Sequence, residues 1–223
     1  MNRKGLTPPG LKVFEAIKKS GLLQEYILIG GTALSLQINN RLSEDLDFCK
    51  WQDNPEIHNK EVNWPELEKF LRTIGNVRTD IIDLYQVNFF LDQVKITFYS
   101  NAITTFREIE TGYKIDNITL AAVHSIGVMK LEVMSRRYLF RDYYDIYSIL
   151  KEGISLKKIV SKGSRFSLHR MKTKNILGII SNGSLFRKEE KFSLLRPRYD
   201  VTSSDIQIFI RDIINKEYSL VNG

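Results

Sequence analysis

Two aspartates separated by one residue are the side chains of this sequence best suited to chemistry. Asp45 and Asp47 lie in the run Asp45-Leu-Asp-Phe-Cys, whose alternation of polar and apolar residues is typical of a β-strand. Alternate residues of a strand share one face, so the carboxylates would repel each other unless a cation lies between them. Mg²⁺ or Mn²⁺ suits such a pair, which commonly holds the ion together with substrate phosphates. An acidic strand end in solvent is the alternative interpretation.

Thirteen residues lie between a glycine pair and the first aspartate. The apolar run Tyr26-Ile-Leu-Ile ends in Gly30-Gly31, and the segment from Thr32 onwards has apolar residues at helical spacing. This pattern predicts a strand, a tight turn and a helix, whose free N–H groups attract phosphate. A glycine turn alone is weak support for function. Together with the two carboxylates, Gly30, Gly31 and Thr32 predict a site for a metal-bound triphosphate.

The elements that must position these residues indicate an α/β (α+β) protein, with a mixed β-sheet and flanking helices followed by helices. We predict a helix over 65–74, and a hairpin whose strands, Tyr85–Phe90 and Val94–Phe98, are joined at Leu91-Asp92-Gln93. Further helices are predicted over 118–135, 140–151, 155–163, 170–180 and 203–217. We therefore expect an α/β core over residues 1–115 and a mainly helical part over 116–223.

Positive charge is concentrated at the end of the chain. Residues 151–223 contain 15 Lys/Arg and 7 Asp/Glu, a net +8, although the whole chain carries only +7. A polyanion such as RNA is a natural partner for this region, and a solvated charged surface is the alternative. The basic residues between positions 157 and 198 are Lys157, Lys158, Lys162, Arg165, Arg170, Lys172, Lys174, Arg187, Lys188, Lys191, Arg196 and Arg198.

Cysteine content and hydropathy bear on the compartment. Cys49 is the one cysteine, so the sequence offers neither an internal disulfide nor a thiolate metal cluster. No apolar run approaches the roughly 20 residues that span a bilayer, and the first ten residues lack an apolar signal segment. We expect a cytoplasmic protein without a membrane partner.

The glycine pair and the aspartates together resemble a known signature. Ile29-Gly30-Gly31 followed after thirteen residues by Asp45-Leu-Asp-Phe48 is similar to the signature of the polymerase-beta-like nucleotidyltransferases. The fuller strings Gly-Gly-Thr-Ala-Leu and Arg41-Leu-Ser43-Glu-Asp-Leu-Asp-Phe resemble the AbiEii/AbiGii toxin branch. This resemblance implies the nucleotidyltransferase fold and metal-dependent transfer of a nucleoside monophosphate from an NTP to an acceptor. It also implies the toxin role in a toxin–antitoxin pair, with an antitoxin protein as partner.

The same branch carries a lysine, arginines and an acidic pair, which stand here as Lys130, Arg136, Arg137 and Arg141-Asp142-Tyr-Tyr-Asp145-Ile. By resemblance, Lys130 would contact the phosphates, and Asp142 would assist the acceptor or orient Lys130. Asp142 and Asp145 share a helix face at i, i+3, and a salt-bridged face with Lys130 or Arg141 would explain them equally.

Arg41 and Ser43 precede the acidic strand. They are predicted either to fix the triphosphate and orient Asp45 through hydrogen bonds or to support the turn.

One position departs from the superfamily pattern, in which many members have a third carboxylate after Val-Lys-apolar. Here Val94-Lys95-Ile96 is followed by Thr97, which cannot act as a general base as a carboxylate does. Deprotonation of the acceptor then falls to Asp142 or to solvent. Lys95 is a candidate phosphate contact, with a surface lysine as the alternative.

Three functions follow from these patterns. The leading hypothesis is a nucleotidyltransferase that acts on RNA. The others are a non-catalytic nucleic-acid-binding protein that retains the fold, and a nucleotidyltransferase acting on a small molecule.

Overall fold

The structure is a computed structural model that describes residues 5–51, 61–101, 110–166 and 171–218. The chain divides into two compact units, Met1–Ala122 and Val123–Gly223. Within the described ranges, no helix is long and apolar enough to cross a membrane.

The first unit is built on a mixed β-sheet. Its described helices are α1 (Pro8–Ile17), α2 (Gly30–Ile38) and α3 (Trp64–Arg72). Its described strands are β1 (Ile27–Ile29), β2 (Leu46–Trp51), β3 (Val77–Asp83), β4 (Gln86–Leu91), β5 (Val94–Asn101), β6 (Thr111–Ile115) and β7 (Ile118–Ala121). They form one sheet in the order β3-β4-β5-β2-β1-β7-β6. The predicted fold class, a mixed sheet with helices, is confirmed.

The two faces of the central strands differ in polarity. Leu28, Phe48 and Phe98 are buried on one face, where the Phe48 and Phe98 rings stack with centroids 5.0 Å apart. On the other face, Asp47 of β2 is paired with Ile29 of β1 and with Thr97 of β5. This alternation fixes the register, because a shift by one residue would bury Asp47 and expose Phe48.

The predicted hairpin is confirmed as β4 and β5, which pair from Leu91↔Val94 to Gln86↔Tyr99. The two intervening residues form the turn, where Asp92 has a φ of +53°. The predicted helix over 118–135 is wrong in its first turn. Ile118–Ala121 is strand β7, which pairs in parallel with β1, and the helix begins only at Val123. Long-range pairing with β1 overrides the local helical pattern at these four residues.

The second unit is helical over its described residues. Its helices are α4 (Val123–Met134), α5 (Phe140–Lys151), α6 (Leu156–Phe166), α7 (Thr173–Ile180) and α8 (Ser203–Tyr218). Helix α5 lies in the core and buries Tyr143, whose ring stacks on Phe186 at 4.2 Å. The helix predicted over 140–151 is confirmed, and those predicted over 155–163, 170–180 and 203–217 are found with shifted ends.

Candidate active site

The glycine turn between β1 and α2 lies against Asp47. Gly30 has a φ of +68°, which favours glycine, and a Cβ at this position would lie 3.1 Å from Asp47 Oδ2. Helix α2 begins at Gly30, so its first N–H groups lie at the same end of the helix as this carboxylate. The strand, turn and helix predicted here are confirmed, and they bring a helix N-terminus close to an acidic side chain.

Hydroxyl groups tie α2 to the segment before β2. Thr32 Oγ1 hydrogen-bonds Ser43 Oγ at 2.9 Å and also donates to the backbone carbonyl of Asp45. Ser43 is itself fixed by the chain's beginning, since its N–H donates to the Gly5 carbonyl at 2.9 Å. Thr32 therefore sets the position of the Asp45 backbone, a role that the sequence did not reveal.

Arg41 lies beneath the second glycine. A Cβ on Gly31 would come within 2.7 Å of Arg41 Nη2 and 3.2 Å of Ser43 Oγ, so a side chain here would displace both. Arg41 Nη1 donates to the Leu42 carbonyl at 3.0 Å, and only 6% of the residue is exposed. The glycine turn thus has a buried cation on one side and the Asp47 carboxylate on the other.

Thr97 occupies the strand position directly beside Asp47. Its Oγ1 donates to Asn88 Oδ1 at 3.1 Å, and Asn88 is its register partner on β4. Lys95, two residues earlier on the same strand, lies on the same sheet face and is half-buried. Sequence reasoning missed Asn88, because the predicted turn Leu91-Asp92-Gln93 is one residue longer than the observed turn and would place Val87 opposite Thr97.

Asp45 and Asp47 could together hold a divalent cation. Both are partly exposed, and no described residue hydrogen-bonds or ion-pairs with the Asp45 carboxylate. Two carboxylates and the phosphate oxygens of a nucleotide form the oxygen-rich ligand set that Mg²⁺ prefers. Among the described residues, no group of three or more His, Cys, Asp or Glu is arranged to hold a metal.

A second charged cluster lies within the helical unit, between α4 and α5. Lys130 Nζ is 2.6 Å from Asp142 Oδ1 and 2.7 Å from Asp145 Oδ2. Both aspartates are 0% exposed and Lys130 is 8% exposed. Arg137 Nε adds a contact to Asp142 Oδ2 at 3.1 Å. The salt-bridged arrangement considered for Asp142 and Asp145 is therefore found, with Lys130 as the shared partner.

The charge of Asp142 is stabilised by its neighbours. Burial raises the pKa of Asp142, but the charge and hydrogen bond of Lys130, together with Arg137, outweigh it and leave this pKa below its usual range. Asp142 is thus ionised at neutral pH. Sequence reasoning noted Arg137 only as part of the motif and did not assign it this contact.

The basic residues between 157 and 198 are mostly at the surface of the helical unit. Lys162 is half-buried and lies 3.5 Å from His124 Nε2, and Arg170 falls outside the described residues. Lys188 and Arg198 are paired with Asp200 and Glu152. The exposed residues are Lys157, Lys158, Arg165, Lys172, Lys174, Arg187, Lys188, Lys191, Arg196 and Arg198.

Comparison with protein families gives a match over almost the whole chain. Residues 12–217 match the family model described as nucleotidyl transferase AbiEii toxin, type IV toxin–antitoxin system. An uncharacterised protein of Aquifex aeolicus (strain VF5) is 25% identical over 153 residues, which are 66% of this chain and 69% of that protein.

Solved structures resemble the chain in fold. A protein of H. pylori, described as a candidate nucleotidyltransferase, matches with a TM-score of 0.57 and 20% identity, covering 98% of this chain and 100% of that one. MenT4, a nucleotidyltransferase toxin from Mycobacterium tuberculosis H37Rv, matches with a TM-score of 0.54 and 15% identity, covering 91% and 80%. At these identities the likeness shows a shared fold.

Proposed function

The chain belongs to the AbiEii family of nucleotidyltransferase toxins, and from this premise we propose that it transfers a nucleoside monophosphate from an NTP to RNA with Mg²⁺. The observation that carries the proposal is the approach of the Gly30 turn to Asp47, which places the start of α2 beside a carboxylate. The start of the helix can bind phosphate, and the carboxylate can bind a divalent cation. An antitoxin protein is the partner that family membership suggests.

The triphosphate is assigned to the N-terminal end of α2. Backbone N–H groups at Gly31 and Thr32 are oriented for an anion by the helix, and the Arg41 guanidinium adds a full charge near the turn. The absence of a Cβ at Gly31 allows this guanidinium to approach the turn. Lys95, on the same sheet face as Thr97, is a further candidate phosphate contact.

Asp45 and Asp47 are assigned to Mg²⁺, which would offset negative charge on the triphosphate as the reaction proceeds. In the transfer, an acceptor hydroxyl oxygen bonds to the α-phosphorus while the bond from that phosphorus to the bridging oxygen breaks. Pyrophosphate leaves with the electron pair. The backbone that carries these carboxylates is held at Asp45 by the Thr32 hydroxyl and at Asp47 by the pairing of β2.

Lys130 is assigned to a phosphate of the nucleotide, and Asp142 and Asp145 to fixing its ammonium group. A carboxylate with a lowered pKa is a poor general base at neutral pH. The Asp142 oxygens are also already engaged by Lys130 and Arg137. Of the two roles that the resemblance implies for Asp142, this geometry supports orienting Lys130, so the acceptor's proton is assigned to solvent.

RNA is proposed as the acceptor because of the exposed cations of the helical unit. Several such charges near phosphates release counterions and give binding that tolerates many sequences but weakens with salt. A small-molecule acceptor would leave these residues without a role in the reaction.

Incubation with each labelled NTP, Mg²⁺ and total cellular RNA tests the proposal. We expect label to become attached to RNA from at least one NTP and to depend on the divalent cation. Transfer to a small molecule alone would overturn the RNA assignment. RNA binding without transfer from any NTP would support the non-catalytic alternative instead.

The basic surface is tested by reversing four charges. We expect Lys157→Glu, Lys158→Glu, Lys172→Glu and Lys174→Glu combined to weaken RNA binding and to reduce its salt dependence. The control combines Lys12→Glu, Lys19→Glu, Lys69→Glu and Lys114→Glu, which change the same number of exposed charges in the first unit. Equal losses in both variants would show a general charge effect and not a binding surface.

A further inference from the structure

We propose that the Asp45 and Asp47 site holds one divalent cation for each bound nucleotide, and that Thr97 and Asn88 together exclude a second. This inference rests on the proposed function, because it concerns the same site. It adds the number of cations and assigns a role to Asn88.

The sheet register places neutral groups where a second cation would need charge. Asp47 is paired with Thr97 in the parallel strand β5, and Thr97 with Asn88 in the antiparallel strand β4. The three side chains therefore form a row across one face of the sheet, in the order Asp47, Thr97 and Asn88. Thr97 and Asn88 carry no charge, and the row continues on β3 with the exposed Asp80, the register partner of Asn88.

The hydrogen bond between Thr97 and Asn88 determines which atom of the Asn88 amide faces away from Thr97. Thr97 Oγ1 donates to Asn88 Oδ1 at 3.1 Å, so the Asn88 amide nitrogen is the group left to face away from Thr97. Asn88 is 6% exposed and Thr97 is 7% exposed. No described residue accepts a hydrogen bond from Asn88 Nδ2. An amide N–H donor suits an oxygen atom of a ligand and disfavours a nearby cation.

Two-cation sites place their ions about 3.5–4 Å apart and need carboxylates that reach both. Among the described residues, Asp45 and Asp47 are not joined by a third acidic group arranged for a metal. The aspartates of the helical unit are engaged elsewhere, because Asp142 and Asp145 are ion-paired with Lys130. Two carboxylates balance the charge of one divalent cation. Among the described side chains, a second cation beside Asp47 would meet the neutral Thr97 and Asn88, which separate it from the next carboxylate, Asp80.

Binding of Mn²⁺, measured by electron paramagnetic resonance, directly tests the number of cations bound for each nucleotide. The full chain is titrated with Mn²⁺ in the presence of non-hydrolysable α,β-methylene analogues of the four NTPs, one at a time. We expect one bound Mn²⁺ per bound analogue, with the spectrum of an isolated ion. Two bound ions, or the spectrum of a coupled pair in the unaltered chain, would overturn the proposal.

Two matched variants test whether the lack of charge at Thr97 limits the number of bound cations. Thr97→Asp adds a carboxylate beside Asp47, and we expect the count to rise from one to two with a coupled spectrum. Thr97→Asn has the shape of that variant without its charge, so we expect the count to stay at one. If Thr97→Asp also stays at one while thermal unfolding shows it to be folded, Thr97 does not limit the count and the inference is wrong.

The result that would contradict the proposed function differs from the result that would contradict this inference alone. An unaltered chain that binds neither Mn²⁺ nor any analogue would contradict the proposed function, and the inference would fall with it. A chain that binds one analogue with two Mn²⁺ ions would contradict the inference alone.

Discussion

The two charged clusters of this chain balance their charges in opposite ways. In the first unit, Asp45 and Asp47 are partly exposed and lie near a helix N-terminus, and the Asp45 carboxylate has no partner among the described residues. In the second unit, Asp142 and Asp145 are completely buried, and Lys130 lies between them at ion-pair distance from both. The first cluster leaves the Asp45 carboxylate open to a ligand, whereas the second is largely neutralised by the protein itself.

This difference separates a binding role from a positioning role. A cation that binds between two partly exposed carboxylates offsets their mutual repulsion, and the strand that carries them is held by backbone contacts such as the one from Thr32. A buried cluster must be paired within the fold, because an unpaired charge there is costly. Substitutions in the first cluster should therefore affect catalysis with little loss of stability, whereas those in the second should reduce stability as well as the phosphate contact assigned to Lys130.

The largest expected effect is that of Asp47→Asn on nucleotide transfer. The variant keeps the shape of the side chain and removes one of the two carboxylates assigned to Mg²⁺. A metal contributes several kcal/mol of charge stabilisation, so we expect transfer to fall by roughly a thousandfold or more. Initial rates with labelled NTP measure it. Asp80→Asn, an exposed residue of β3 on the same sheet, is the control and should retain full activity. Similar activity in both variants would contradict the site.

The second cluster is tested by Lys130→Met, which leaves two buried carboxylates without their shared cation. We expect the unfolding free energy of the helical unit to fall by about 3–5 kcal/mol. The control is Arg136→Ala, which removes a surface pair with Glu132 and should cost about 0–1 kcal/mol. Urea unfolding followed by circular dichroism measures both. Equal losses would show that the buried cluster is no more important to stability than a surface pair.

Substitution of two glycines distinguishes the effect of backbone strain from the effect of contact with Asp47. Gly30 and Gly153 both have positive φ, but a Cβ at Gly153 meets nothing within 4 Å, whereas one at Gly30 lies against Asp47. We expect Gly30→Ala and Gly153→Ala each to cost about 1–2 kcal/mol of stability. Only Gly30→Ala should also reduce transfer, by displacing the carboxylate. Loss of transfer in both variants would assign the effect to strain.

The first cluster was predictable because its signals are local. An apolar run, a glycine pair and alternating aspartates each determine a strand, a turn or a face within a few residues. The hydroxyl contact from Thr32 to the Asp45 carbonyl could not be predicted, because it joins side chain and backbone across a loop. Strand β7 was missed for a related reason, since its pairing with β1 depends on residues some 90 positions earlier in the chain.

The second cluster was predictable in part. Helical spacing placed Asp142 and Asp145 on one face, but spacing alone did not decide between Lys130 and Arg141 as their partner. The packing of α4 against α5 brings Lys130 to both carboxylates. Burial of Asp142 and Asp145 is likewise a property of tertiary packing. Because they are buried, these two carboxylates ion-pair with Lys130 and are not solvated.

The smallest expected effect appears only at acidic pH. It tests whether the charge of Asp142 is stabilised by its ion-pair partners in the folded chain, as the comparison of the two clusters requires. Its pKa in the folded chain lies below the ordinary value of 3.8, so the unfolded chain takes up a proton at higher pH than the folded one. The stability contributed by the charged form is therefore fully present above about pH 4 and is lost as the pH falls through the folded pKa. Urea unfolding of the unaltered chain and of Asp142→Asn, repeated from pH 7 down to pH 3, measures the difference. We expect the advantage of the unaltered chain to shrink below about pH 4. A difference that stays constant over the whole range would mean that the Asp142 pKa is the same in the folded and unfolded chains, and Lys130 would then not be held by charge.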